Sequence, residues 1–138
     1  KGWWSNGILK QTRTLKNGIW NGLWTSWYEN TQKEEERNYK DGKPDGLWIY
    51  WDENGLKFSE KTYKNGKLDG LWTEWYENGQ KRWERTYKDG KRDGFWRGYF
   101  ETGEIKDVDL MDNSFLDVYC KPFNYSIYEK FLIEAIKA

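Results

Sequence analysis

Along the first hundred residues, apolar and polar positions alternate in short runs, and most of the apolar members are aromatic. Runs such as Leu71–Glu77 and Lys81–Lys88 carry Trp, Tyr and Thr at every second or third place. These residues suit a pleated, half-buried surface. Two kinds of punctuation separate the runs. Asn54-Gly55 and Asn78-Gly79 read as two-residue hairpin turns, the strongest short-range hairpin signal. Asn65-Gly66 and Asp89-Gly90 read as the openings of looser turns, closed by Asp69-Gly70 and Asp93-Gly94. A helical reading fails, because Gly recurs too often and no apolar 3.6 period occurs before residue 104.

The pattern repeats every 24 residues. Gly42–Asn65 set above Gly66–Asp89 matches at 15 of 24 positions. One period earlier, Gly18–Asp41 follows the same phase, and one period later a partial copy starts at Gly90. Trp3, Gly7, Thr14 and Asn17 fall on Trp51, Gly55, Thr62 and Asn65 two periods on. The phase therefore runs upstream of residue 1, and the expectation is a trimmed or processed product lacking at least half a repeat. Each unit predicts two short antiparallel strands, and the array predicts a meander.

Side chains alternate faces along a strand. With Asn78-Gly79 as a two-residue turn, the predicted cross-strand pairs are Trp75 with Arg82, Glu74 with Trp83, and Trp72 with Arg85. One face then collects Trp24, Trp48, Trp72 and Trp96, with Arg37, Lys61 and Arg85 across from the first three. Tyr39, Tyr63 and Tyr87 join it. The other face collects Leu23, Leu47, Leu71 and Phe95 with Trp27, Trp51, Trp75 and Tyr99, opposite Glu36, Glu60 and Glu84. An inserted residue would exchange the faces locally. Trp, Tyr and Arg dominate binding energy at interfaces. The Trp24/Trp48/Trp72/Trp96 face is therefore the expected partner-binding side, more exposed than the other. On that expectation, replacing Arg37, Lys61 and Arg85 with Ser leaves folding largely intact.

Composition narrows the function. The 138 residues hold 23 Lys+Arg and 23 Asp+Glu. That balance argues against a sequence-blind nucleic-acid binder, which needs a cationic excess. No His removes the commonest general base and metal ligand. One Cys excludes a disulfide framework or a thiolate zinc site. No apolar run approaches the ~20 residues that span a bilayer. Leu, Ile, Val and Phe total 25 residues, so the 11 Trp and 10 Tyr have to supply the packing. No nucleophile elbow, phosphate loop or metal constellation occurs. The acidic pairs Glu34/Glu36 and Asp107/Asp109 read as solvated strand faces. The expectation is a chain with no enzymatic activity and no cofactor.

The run Tyr-Lys-Asn-Gly-Lys-x-Asp-Gly-Leu-Trp-x-x-Trp-Tyr-Glu-Asn-Gly-x-Lys, complete at Tyr63–Lys81, resembles the MORN repeat family. It is similar to the bacterial variant grouped with antitoxin-like proteins of toxin–antitoxin systems, and weaker copies run from Trp3 to about Gly103. Thr31 in place of a turn Gly, Pro44 beside a turn, and Gly98 depart from the pattern and weaken the outer hairpins. The resemblance implies an elongated antiparallel sheet of stacked hairpins that binds proteins or membranes and has no catalytic residues. One implied role is the neutralisation of a toxin by occlusion. The alternative is a membrane- or cell-wall-associated surface protein. Choline- and glucan-binding wall repeats share the aromatic pairs and Asn-Gly turns, but here the rings are spaced Trp-x-x-Trp and a third of residues are charged. An open sheet edge or terminal repeat also offers a route to a homo-oligomer.

After Gly103 the composition shifts. Residues 104–138 contain no Trp, ten Ile, Leu, Val or Met, and four Lys against seven Asp or Glu. Ser126-Ile127-Tyr128-Glu129 forms a capping box, with Pro122 upstream. Ile127, Tyr128, Phe131, Leu132, Ala135 and Ile136 make one apolar stripe at helical spacing. The prediction is a repeat domain over 1–103 and a C-terminal cap over 104–138, with a helix at about 126–137 that closes the array. Cys120 reads as a buried, inert thiol.

Overall fold

The computed structural model describes residues 1–111, so the predicted helix at 126–137 and Cys120 lie outside the described residues. Ten strands follow one another: β1 (Gly2–Trp3), β2 (Leu9–Lys16), β3 (Ile19–Trp27), β4 (Lys33–Lys40), β5 (Lys43–Trp51), β6 (Lys57–Lys64), β7 (Lys67–Trp75), β8 (Lys81–Lys88), β9 (Lys91–Tyr99) and β10 (Ile105–Met111). They form a single antiparallel sheet in sequence order, the all-β hairpin meander that the repeats predict. At ~4.8 Å between strands, ten strands extend roughly 45 Å. The sheet continues past Gly103 into β10, which pairs with β9.

The two turn classes are the reverse of expectation. Asn65-Gly66 alone joins β6 to β7, with Lys64 opposite Lys67. Both residues have positive φ, 50° and 87°. That is the type I′ geometry, whose twist matches that of the flanking strands. Asn17-Gly18, Asp41-Gly42 and Asp89-Gly90 do the same. At Asn78-Gly79 only the Gly turns positive, at 82°. There the Gly79 N–H donates to the Tyr76 carbonyl and the Tyr76 N–H to the Gln80 carbonyl. This is a type I turn closed by a glycine bulge. The extra residue shifts the register, so Trp75 faces Lys81 and not Arg82. The expected pairs Glu74–Trp83 and Trp72–Arg85 stand. Thr31 keeps the same loop with φ 73°, its N–H donating to the Tyr28 carbonyl.

Asp69-Gly70 closes no turn. Gly70 sits inside β7 at φ 116°, in a bulge between the pairs Lys61–Trp72 and Tyr63–Leu68. A Cβ there would stand 3.2 Å from the Thr62 Cβ. The Asp69 carboxylate reaches the next hairpin and accepts the Asp89 N–H at 3.2 Å, and this bond draws its pKa below the ordinary carboxylate value. Asp45 accepts the Asn65 N–H in the same way. Hairpins are also stitched at their other ends. The Tyr28 and Tyr76 hydroxyls donate to the Trp51 and Tyr99 carbonyls.

Among the described residues no hydrophobic side chain is fully buried. A single sheet layer has nothing to cover it, so packing must occur between side chains lying along its faces.

Candidate binding face

The register carries the aromatic face further than the sequence suggested. Each cation has a Trp on both sides. Arg37 pairs with Trp24 on β3 and Trp48 on β5. Lys61 pairs with Trp48 and Trp72, and Arg85 with Trp72 and Trp96. Arg13 adds a rung opposite Trp24. The ladder Arg13–Trp24–Arg37–Trp48–Lys61–Trp72–Arg85–Trp96 thus crosses eight consecutive strands. Strand n and strand n+1 belong to the same repeat or to neighbouring ones alternately, so one Trp and one cation per repeat are enough to build it.

The contacts are close. The Arg37 guanidinium lies 5.0 Å from the Trp24 ring centre and 4.9 Å from that of Trp48. Arg85 lies 5.0 and 5.3 Å from Trp72 and Trp96, and Lys61 4.3 Å from Trp72. The expected tyrosines take part: Tyr39 and Tyr63 flank Trp48 at 5.4 and 4.6 Å, and Tyr87 joins Trp72 to Trp96 at 6.0 and 5.6 Å. The Trp48 indole N–H donates to the Asn38 carbonyl at 2.9 Å. Burial raises the pKa of Tyr63 and of Tyr87, and it lowers that of Lys61, between Arg37 and Arg85. Removing a cation's water is costly unless the surroundings compensate, and the ring faces supply part of that compensation.

The geometry bears on exposure and on the part the cations play in packing. All ten residues predicted for the face are half-buried, whereas Leu23, Leu47 and Leu71 on the other side are 42, 36 and 39% exposed. On that other side Trp27, Trp51 and Trp75 are half-buried and Thr25, Thr73 and Glu84 are buried, so neither face is uniformly the more open. Arg37 and Arg85 each lie between two Trp rings and Lys61 lies between the Trp72 and Tyr50 rings, so shortening any of them removes packing as well as charge.

The other face is held by ion pairs. Lys33, Lys57 and Lys81 contact Glu36, Glu60 and Glu84. Lys57 also lies 4.3 Å above the Trp75 ring. Glu84 is nearly buried, at 6% exposure, and receives the Tyr99 hydroxyl. Desolvation pushes its pKa up, but hydrogen bonds from Lys81 and Tyr99, with the charges of Lys81 and Arg97, hold it below the ordinary value of 4.5.

Sequence reasoning missed Tyr50, Phe58, Ser59 and Arg82, which line an open depression of about 460 Å³ together with Lys61 and Glu74 and with Trp75, a residue of the other face. The available signal was their departure from the repeat: Tyr50 aligns with Ser26 and Glu74, and Phe58 with Glu34 and Arg82. Among the described residues no group of acidic or thiol side chains could hold a metal ion, and no helix is long and apolar enough to cross a membrane.

No curated protein matches the chain. Residues 20–41, 44–65 and 68–89, within β3 to β8, each match the model of the MORN repeat variant, a repeat family whose members generally bind proteins or membranes.

Proposed function

We propose that the chain is a protein-binding module that receives its partner on the ring face, across Trp24, Trp48, Trp72 and Trp96, with Arg37, Lys61, Arg85, Tyr39, Tyr63 and Tyr87. The observation that carries this reading is the uninterrupted Trp–cation ladder. It presents the residue types that dominate interface energies, half-exposed, held rigid by one another, and repeated every two strands. An extended partner meets the same chemistry at each repeat. Rigid rings also lose little conformational freedom on binding, which favours affinity. The finer form of this role, implied by the resemblance of Tyr63–Lys81 to the bacterial variant, is antitoxin-like, with the captured protein a toxin held occluded.

Photo-crosslinking tests the face while keeping an aromatic ring at each substituted tyrosine. A photoreactive phenylalanine at Tyr63 or Tyr87 should crosslink a cellular protein, and one at Leu71 should not. Crosslinks from Leu71 alone overturn the choice of face. Flotation with liposomes, in place of any protein crosslink, overturns the protein-binding reading in favour of a membrane surface. For the antitoxin-like form, a neighbouring reading frame should be toxic when expressed alone and harmless when co-expressed with this chain.

A further inference from the structure

The three repeats agree on their Trp–cation rungs but differ two residues before each cation. Before Arg37 stands Glu35, whose carboxylate pairs with the guanidinium. Before Arg85 stands Trp83, with its ring 4.9 Å from the guanidinium, while Glu74 supplies a carboxylate 3.7 Å away. Before Lys61 the same position is Ser59. None of the ion pairs among the described residues includes Lys61, although the charge of Glu74 acts on it. Ser59 is 5% exposed, and its Oγ, fully covered, has no hydrogen-bond partner. The middle repeat therefore keeps the cation but has a serine where Glu35 stands, and the carboxylate across the strand, Glu74, is in ion-pair contact with Arg85 and not with Lys61.

That gap coincides with the depression already described, which Ser59 and Lys61 line. Tyr50 and Phe58 form an apolar wall, their rings 6.2 Å apart, and Arg82 lies at the rim, 5.7 Å from the Tyr76 ring. The middle repeat differs in one more respect. Asp52 stands where Tyr28 and Tyr76 stitch adjacent repeats, and its carboxylate turns instead to the Asn54 and Leu56 N–H groups of its own loop.

We propose that this depression is the seat for a carboxylate side chain of the partner protein, entering where Glu35 sits one repeat earlier. Lys61 Nζ donates to the carboxylate, the incoming group parts the side chains that cover Ser59 Oγ so that its hydroxyl donates as well, and the methylene stem of the Asp or Glu lies against Tyr50 and Phe58. A charge-assisted hydrogen bond to a group that otherwise has no partner is the kind of contact that fixes register. With three near-identical repeats, this one unlike position tells an extended acidic partner where to stop. A single negative charge fits better than a phosphate dianion, because Glu74 lines the same space and repels the extra charge. The proposal rests on the ring-face reading and names the partner's chemistry.

The test is a nuclear magnetic resonance titration of the labelled full chain with a tetraglutamate peptide, a tetraglutamine peptide and inorganic phosphate. Tetraglutamate should shift the Ser59 amide and Lys61 side-chain signals saturably, and tetraglutamine should not. Ser59→Glu restores the internal carboxylate and should weaken tetraglutamate at least tenfold with an unchanged or raised melting midpoint. Ser59→Ala, which only removes the hydroxyl, should weaken it about threefold and serves if Ser59→Glu folds poorly. Full tetraglutamate affinity in both variants overturns the seat. So does a response to phosphate that equals or exceeds the response to tetraglutamate. Partner crosslinks from Tyr63 with no tetraglutamate response at Ser59 overturn the seat alone and leave the ring-face reading standing. Tetraglutamate bound at Ser59 with partner crosslinks only from Leu71 keeps the carboxylate site and overturns the ring-face reading.

Discussion

The two faces of this sheet solve one problem in different ways. Neither is covered by a second layer among the described residues, so neither has a conventional core. The ring face packs sideways: Trp, Arg, Lys and Tyr interdigitate across eight strands, and each side chain shields its neighbours from water. The opposite face combines Lys–Glu pairs with the half-buried Trp27, Trp51 and Trp75, and it leaves Leu23, Leu47 and Leu71 exposed. Area removed from water is what stabilises a fold, and exposed ion pairs contribute little. Stability should therefore be concentrated on the ring face, with the other face contributing mainly solubility and pH response.

The sharpest way to break this comparison is a matched pair of adjacent residues in β5. Trp48→Ala removes contacts to Arg37, Tyr39 and Tyr63 and should cost about 2–3 kcal/mol, somewhat under the range for a fully buried Trp. Leu47→Ala on the other side should cost less than about 0.5 kcal/mol. Urea midpoints measure both, and equal losses would show that the faces share the load. A smaller contrast separates the cations. Arg37→Ser, which empties the space between two indoles, should cost about 1–2 kcal/mol. Lys57→Ser, over one ring and paired with Glu60, should cost below about 0.5 kcal/mol. The melting midpoints of the two variants decide it.

A third variant touches neither face and calibrates the backbone. Thr31 carries φ 73°, a conformation that is costly for a β-branched residue. Thr31→Gly should raise stability by about 1 kcal/mol at an unchanged spectrum. A loss would mean that the Thr side chain contributes more than its strain costs.

The smallest effect is electrostatic, and its sign differs between the faces. Glu84 has a depressed pKa, so the stability it lends is present above 4.5, its ordinary value, and is lost as pH falls through the folded value. Glu35, on the ring face, is raised by desolvation despite Arg37. Its contribution is full below 4.5 and is lost as pH rises through its folded value. Acidification from pH 7 to 3 should therefore destabilise Glu84→Gln less than the parent chain and Glu35→Gln more. Midpoints measured along that ramp would reveal the opposite order, if it holds.

The repeat unit was legible because 24-residue identity, turn glycines and period-two aromatics all point to one architecture. The sequence determined that hairpins form, that they are antiparallel, and that Trp24, Trp48, Trp72 and Trp96 share a side with Arg37, Lys61 and Arg85. It could not assign the turns, because Asn65-Gly66 and Asn78-Gly79 are the same dipeptide. Only the number of residues left unpaired around each one separates a type I′ turn from a glycine bulge. Nor could local pattern show that every cation has two Trp neighbours, since the second neighbour lies on the next strand and is set by the register after the bulge at Gly70. The depression at Ser59 was hidden for the same reason. A serine in a strand is unremarkable until the tertiary structure places it, buried and without a hydrogen-bond partner, beside a cation that takes part in no ion pair among the described residues. Local sequence set the strands and turns, and pairing between strands decided which charges have partners.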